Sequence, residues 1–352
     1  MKNYIRNAAA IFFGVFVLSA CAGGGTTTPT PGGAPAPGAD PVAEVADSVH
    51  TINFAHVVSI HTPKGAEIEM FRDMMYERTN GRVIVNVFPN GQMGNDREIT
   101  EQMLVNTIQM NAPLTSVLPF LIPEFEFFDL PYLFGSPEIA YDAVHGAIGD
   151  MFDELFAEVG FVGLGYWFGG FKQIANSQNP AYTVEDLAGL RMRVSASPIL
   201  LTQFEAVSNA TFIPFPEVYA ALQSGVVDGV ENPLANIVTQ SFYEVANYLS
   251  VTDHGIMLFP IVITYAAYNE LPADLREIMH EVLLEIQADQ WQTAIDYEIS
   301  LLDYLAEAGV QIAHWDQTER DRLFTAMYAS YEQFREMQGG VELLEILENY
   351  RP

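Results

Sequence analysis

From Thr51 onward the chain alternates between short strand-like runs and amphipathic helical stretches, and few architectures accommodate that alternation. TINFAHVV, beginning at Thr51, is strand-like; PKGAEIEMFRDMMYERTNG reads as a helix stopped at Asn80-Gly81; RVIVNVF is a second strand. A helix from about Asp96 to Val105 and a strand around Ile108 to Ala112 follow. A second set opens at Phe161: strand FVGLGYW, helix TVEDLAGL, strand RMRVS, helix PILLTQFEAVS, strand ATFIPF and helix PEVYAALQS. Repeated βαβ units predict an α/β fold with a mostly parallel sheet and helices on both faces. With 352 residues the chain has material for two such domains, and the cleft between them is the expected ligand site. Pro272 to Ala308 holds no internal Pro or Gly and predicts one or two long helices crossing from one domain to the other. Asp316 and Glu319 form a capping box at the start of the C-terminal helix.

The first twenty residues have the parts of a secretory signal: Lys2 and Arg6, an apolar run from Ala8 to Val17, then Leu18-Ser19-Ala20-Cys21. The apolar run is short for a membrane span, and the only cysteine sits where a bacterial lipobox places one, so Cys21 is expected to carry a lipid anchor. Residues 22–49 are rich in Gly, Pro, Thr and Ala and read as a flexible tether. The formal charge is −30; removing residues 1–20 takes away two cations and no acid, leaving −32. That balance disfavours nucleic acid as a partner. Lysine is scarce, at positions 2, 64 and 172 only, which suits either a high-salt habitat or an ordinary acidic extracytoplasmic protein.

Two carboxylates in ALQSGVVDGVENPLANI, Asp228 and Glu231, are three residues apart beside Asn232-Pro233, a spacing that raises acid–base chemistry as one reading. The other is structural: a helix ending at Gly225, a short buried strand from Val226 to Gly229, and a helix opened by Pro233 with Asn232 as its cap. The seven histidines show no HxxxH spacing, and GxSxG, GxGxxG and Walker sequences are absent, so no metal and no cofactor is expected.

FPNGQMGNDRE (88–98), DLPYLF (129–134), GGFKQIANS (169–177), GLRMRVSAS (189–197), PFPEVYAALQSGVVDGVENP (214–233) and FYEV (242–245) together resemble, in order, the solute-binding subunit of tripartite ATP-independent periplasmic (TRAP) transporters, the DctP-type family. The resemblance implies a two-domain periplasmic-binding-protein-like fold with a ligand cleft between the domains, a long helix crossing both, an organic acid as ligand and a membrane permease as partner. On that basis 51–170 with about 259–297 forms one domain, and 171–258 with about 298–352 the other, in a protein expected to act as a monomer.

Arg193, in RMRV, leaves a strand end where a planar guanidinium meets a carboxylate in two-pronged fashion; Arg191, two residues away on the same strand face, is its competitor, and the resemblance selects Arg193. The family's second basic group lies in a Gly-Phe-Arg sequence, which here is Gly170-Phe171-Lys172, a point charge in place of a fork. Lys64, after HTP, lies in a segment that reaches the cleft in the family. Phe215 offers an aromatic face, Asn232 an amide, and Trp167 and Gln92 complete the candidate ligand-binding set, each with a plain structural role as its alternative. Leu114 or Thr115 stands where sialic-acid-binding members carry an acid, which argues against that ligand. The leading expectation is a lipid-anchored, non-enzymatic carboxylate receptor. The alternatives are an extracytoplasmic hydrolase using Asp228 and Glu231, or a receptor coupled to a sensor on the same fold.

Overall fold

The structure is a computed structural model that describes residues 48–350; the signal segment and Cys21 lie outside the described residues. Nine strands form one sheet: β1 (His50–Ala55), β2 (Val83–Phe88), β3 (Met110–Asn111), β4 (Phe161–Asn176), β5 (Arg191–Val194), β6 (Asn209–Phe212), β7 (Gly229–Asn232), β8 (Tyr248–Thr264) and β9 (Gln311–His314). Their order is β2-β1-β3-β8-β4-β7-β5-β6, with β9 pairing β8. The two flanks are parallel, β1 with β2 and β3 on one side and β5 with β6 and β7 on the other, as their βαβ pattern predicts. The middle is not: β4 runs antiparallel to both β8 and β7, and β3 antiparallel to β8. The expectation of a mostly parallel sheet fails there because β4 and β8, of 16 and 17 residues, each pass through both halves of the molecule.

The β4–β8 ladder shifts register between Gly163 and Tyr166, between Phe168 and Gly170, and between Lys172 and Ile174. Gly165 (φ 113°) and Gly170 (φ 108°) supply left-handed backbone at the first two shifts, as bulged strands require. Backbone groups freed by the shifts find side-chain partners. From the single long helix Ala273–Glu307, about 50 Å of rod, Gln287 Nε2 donates to Leu164 O (3.0 Å) and Trp291 Nε1 to Tyr166 O (3.1 Å). Gln290 both accepts from Phe168 N and donates to Phe168 O, each at 2.8 Å. Gln173 Oε1 accepts from Thr252 N (2.8 Å) and Asp253 N (3.1 Å) at the third shift. The helix is thus fastened to the strand that carries Gly170 and Lys172.

A cluster of phenylalanines, with Phe125 and Phe152 at 4.5 Å between ring centroids, fills the core beside β4. The C-terminal helices contact two segments distant in sequence: Phe334 packs on Phe127 (5.8 Å), while Gln333 accepts from Thr202 Oγ1 (2.6 Å). At the turn into the helix Leu234–Thr239 the cap position is taken by Pro233, not Asn232. Glu298 of the long helix accepts from Leu234 N (2.9 Å) and Ala235 N (2.7 Å) instead, which releases the Asn232 amide from capping. Among the described residues no helix is long and apolar enough to cross a membrane.

Candidate ligand-binding site

The ends of four elements converge on a cavity of about 150 Å³. Helix α1 (Pro63–Arg78) begins on Thr62, whose hydroxyl accepts from Gly65 N (3.1 Å), with Pro63 in the first helical turn; this turn carries Lys64 inward. Helix α2 (Asp96–Leu104) begins on Asn95, capped reciprocally with Glu98, and brings Asp96 to the wall. The carboxyl ends of β5 and β7 bring Arg193 and Asn232. Phe215, Phe259 and Asn236 also line the cavity, as do Arg97, Phe120 and Phe212.

The two arginines of RMRV part ways. Arg191, its side chain 50% exposed, grips Asp228 with Nε to Oδ2 at 2.9 Å and Nη2 to Oδ1 at 2.6 Å. Arg193 is 2% exposed; its Nε donates to Ile213 O (2.8 Å), and its buried Nη1 has no protein partner. Burial lowers the Arg193 guanidinium to about 10, with Glu231 and Asp96 pulling the other way, so it stays charged at neutral pH. A buried cation with an unused donor in a cavity wall calls for an anion.

Lys64 is equally buried. Its ammonium donates to Ala112 O (3.0 Å) and sits 3.8 Å from the centre of the Phe259 ring. Burial lowers it to about 8, with Asp96 opposing that shift. Nearby His56 is lowered to about 3 by burial and then by Lys64, and is therefore neutral. Asn232 Oδ1 accepts from Asn236 Nδ2 (2.8 Å), which leaves Asn232 Nδ2 buried and unpartnered. Asp96 Oδ1 is also buried without a partner, and burial pushes that carboxyl up against the pull of Lys64 and Arg193.

Of the sequence-predicted residues, Arg193, Lys64, Asn232 and Phe215 line this cavity, while Lys172, Trp167 and Gln92 do not. Trp167 is wholly buried in the core and Gln92 is exposed on the loop before α2. Lys172, 1% exposed, stands 3.2 Å from Glu231 Oε2 and 3.5 Å from Asp129 Oδ1. Burial alone would depress its ammonium, but Glu231 and Asp129 outweigh burial and hold it above its ordinary value. Its position follows from strand parity. Lys172 and Glu231 occupy adjacent antiparallel strands, where β4 meets β7, and neutralise each other inside the sheet. The carboxylates that suggested catalysis are therefore both engaged, Asp228 by Arg191 and Glu231 by Lys172, and neither lines the cavity.

Asp96, Asn236 and Phe259 escape the sequence reading. Asp96 is already accounted for as an acid in the first turn of a capped helix, and the distant Phe259 gives no local sign. Asn236 had one available signal, its spacing of four from Asn232 on a helical turn.

The family model of bacterial extracellular solute-binding proteins, family 7, matches residues 54–337. The chain belongs to this family. It is 36% identical over 236 residues, 66% of this chain and 71% of the relative, to the C4-dicarboxylate-binding periplasmic protein DctP of Rhodobacter capsulatus. Among solved structures it resembles a TRAP periplasmic solute-binding protein of Sulfurospirillum deleyianum with bound succinate (TM-score 0.82, 32% identity, covering 86% of this chain and 100% of that one). It also resembles the sugar-acid-binding protein DctPAm of Advenella mimigardefordensis in complex with galactonate (TM-score 0.83, 27% identity, covering 86% and 99%). This is the two-domain α/β fold of the TRAP periplasmic binding proteins, with the ligand cleft between domains.

Removing the Lys172 charge leaves Glu231 and Asp129 in a dry interior without their cation. Lys172→Met is expected to lower global stability by about 3–5 kcal/mol in urea denaturation; an unchanged midpoint would mean that the cluster holds nothing together.

Proposed function

We propose that this chain is an extracytoplasmic receptor that captures a small organic acid, with two carboxylates, in the cavity and presents it to a TRAP-type permease. The observation that carries the reading is the unpartnered Nη1 of buried Arg193 in the cavity wall. One carboxylate completes Arg193, and the Lys64 ammonium supplies charge for a second; Phe215 and Phe259 give apolar faces to the carbon chain. A cavity of about 150 Å³ suits a molecule of roughly benzene size, which favours a short acid over a larger sugar acid. The Rhodobacter capsulatus relative named for C4-dicarboxylates and the Sulfurospirillum deleyianum structure with bound succinate agree with that size. In this reading the receptor acts as a monomer and binds its ligand without chemistry. The two lobes that close on the ligand are 51–170 with about 259–297, and 171–258 with about 298–352, the C-terminal helices bridging them. A lipid on Cys21 tethers the receptor to the membrane through residues 22–49.

Calorimetric titration with succinate tests the site. Arg193→Ala should weaken binding by about 3 kcal/mol or more, while Arg191→Ala, which loses only a half-exposed ion pair, should change it by less than about 1 kcal/mol. The reverse order would move the site.

Affinity should also report on Lys64. The ligand binds the ammonium and not the amine, so affinity for a dicarboxylate is full below the free-state value of about 8 and declines as pH rises through it, Arg193 remaining charged and His56 neutral throughout. Lys64→Met should bind more weakly at neutral pH and lose this pH dependence.

Cys21→Ser should move the protein from the membrane fraction to the soluble one with its affinity for succinate unaltered. A substituted chain that still sediments with membranes would argue for retention by an uncleaved leader.

A further inference from the structure

Asn232 closes β7 at the cavity wall with its Nδ2 buried and without a protein partner. The aim of that amide is set from outside the cavity. Asn232 Oδ1 accepts from Asn236 Nδ2 (2.8 Å), a side chain 5% exposed on the helix Leu234–Thr239, so only the N–H side of the amide is left for a ligand. This helix has six residues, opens on Pro233 and carries no side-chain cap of its own, and so short a helix does not hold its first turn unaided. Its two leading N–H groups go to one carboxyl of the long helix: Glu298 Oε2 accepts from Leu234 N (2.9 Å) and Oε1 from Ala235 N (2.7 Å). On the third side stands β4. A Cβ on Gly170 would lie 2.8 Å from Glu298 Cδ and 3.0 Å from Pro233 Cβ, so the carboxyl is held between the bulged strand and the turn, with no room for a side chain. Burial pushes this carboxyl up to about 8, against the pull of the Ala235 and Leu234 N–H groups, and Asp253 adds to the push. A neutral carboxyl keeps an acceptor oxygen, so the link stands on either side of that value.

Resting on the carboxylate-receptor reading above, we propose that Glu298 is a positioning residue for ligand binding: it fixes the start of the helix Leu234–Thr239, that helix fixes Asn236, and Asn236 turns the Asn232 N–H toward the ligand. The long helix then governs affinity without contributing a residue to the cavity lining. A cap that serves stability alone leaves affinity untouched in the folded protein. A positioning residue differs, because its effect vanishes once the group it positions is gone.

Calorimetric titration with succinate at pH 7 tests the coupling, on wild type, Glu298→Ala, Glu298→Gln, Asn232→Ala and the two double variants that combine Asn232→Ala with each Glu298 substitution. Thermal melting confirms that each is folded at the titration temperature. Glu298→Ala is expected to weaken binding about tenfold, and Glu298→Gln, which keeps one acceptor at the same reach, about threefold. In the Asn232→Ala background each Glu298 substitution changes affinity by less than about 1.5-fold. The Gln variant carries the cycle if the Ala variant does not fold. Folded Glu298 variants that bind succinate as wild type does, or a loss that persists in full in the Asn232→Ala background, overturn the positioning role and leave the receptor reading standing. So does an Asn232→Ala variant of wild-type affinity, because nothing would then remain to be positioned. Failure of wild type to bind succinate overturns the dicarboxylate reading and this inference with it.

Discussion

The antiparallel pairing of Phe161–Asn176 with Tyr248–Thr264 is the constraint on which the remaining structure depends. Each strand is long enough to belong to both halves of the molecule, so the two parallel flanks are joined through one continuous ladder. Continuity across a curved sheet has a cost in register, taken up at three shifts, two of them containing glycines with positive φ. The buried amides of Gln287 and Gln290 and the indole of Trp291 return the hydrogen bonds that the shifts remove. This fixes the long helix against the strand pair. The same helix then caps the turn after β7 through Glu298, and so fixes the end of the strand that presents Asn232.

Cations inside this acidic protein are few, and each has a different task. Arg191 is spent on Asp228 at the surface. Lys172 is spent on Glu231 and Asp129 in the interior, where desolvation makes an uncompensated carboxylate untenable. Because Lys172 lies against Glu231, that acid is not left to neutralise Arg193 alone, although the two remain electrically coupled. Arg193 and Lys64 are buried cations that face the cavity, Arg193 with an Nη1 that has no protein partner, and on the proposed reading they make it an anion site in a chain of net charge −30.

The alternation of strand and helix, the uninterrupted helical stretch before Ala308 and the family motifs were all legible in the sequence, because they are set by residue spacing and by Gly, Pro and capping residues acting locally. The place of Arg193 was legible for the same reason: it lies one residue before the carboxyl end of a four-residue strand, the end at which an α/β sheet presents its ligand groups. Lys172 was misplaced by the same reading, for its motif says which strand it occupies but not which buried acids face it. Lys172 meets Asp129 across 43 positions and Glu231 across the β4–β7 pairing, separations that no local pattern encodes.

The sequence by itself determined the α/β class, the order of elements and the strand ends that would carry the principal cation, since short-range sterics and periodicity decide these. Only the tertiary structure decided which polar groups are left over. Arg191 and Arg193 differ by two positions, and Asp228 and Asp96 are the same residue type, yet one member of each pair is satisfied by a neighbour distant in sequence and the other points an unpartnered atom into the cavity. Hydrogen-bond satisfaction is a property of the folded packing, because it depends on every group brought within about 3 Å, and the proposed ligand contacts are the atoms that packing leaves unpaired.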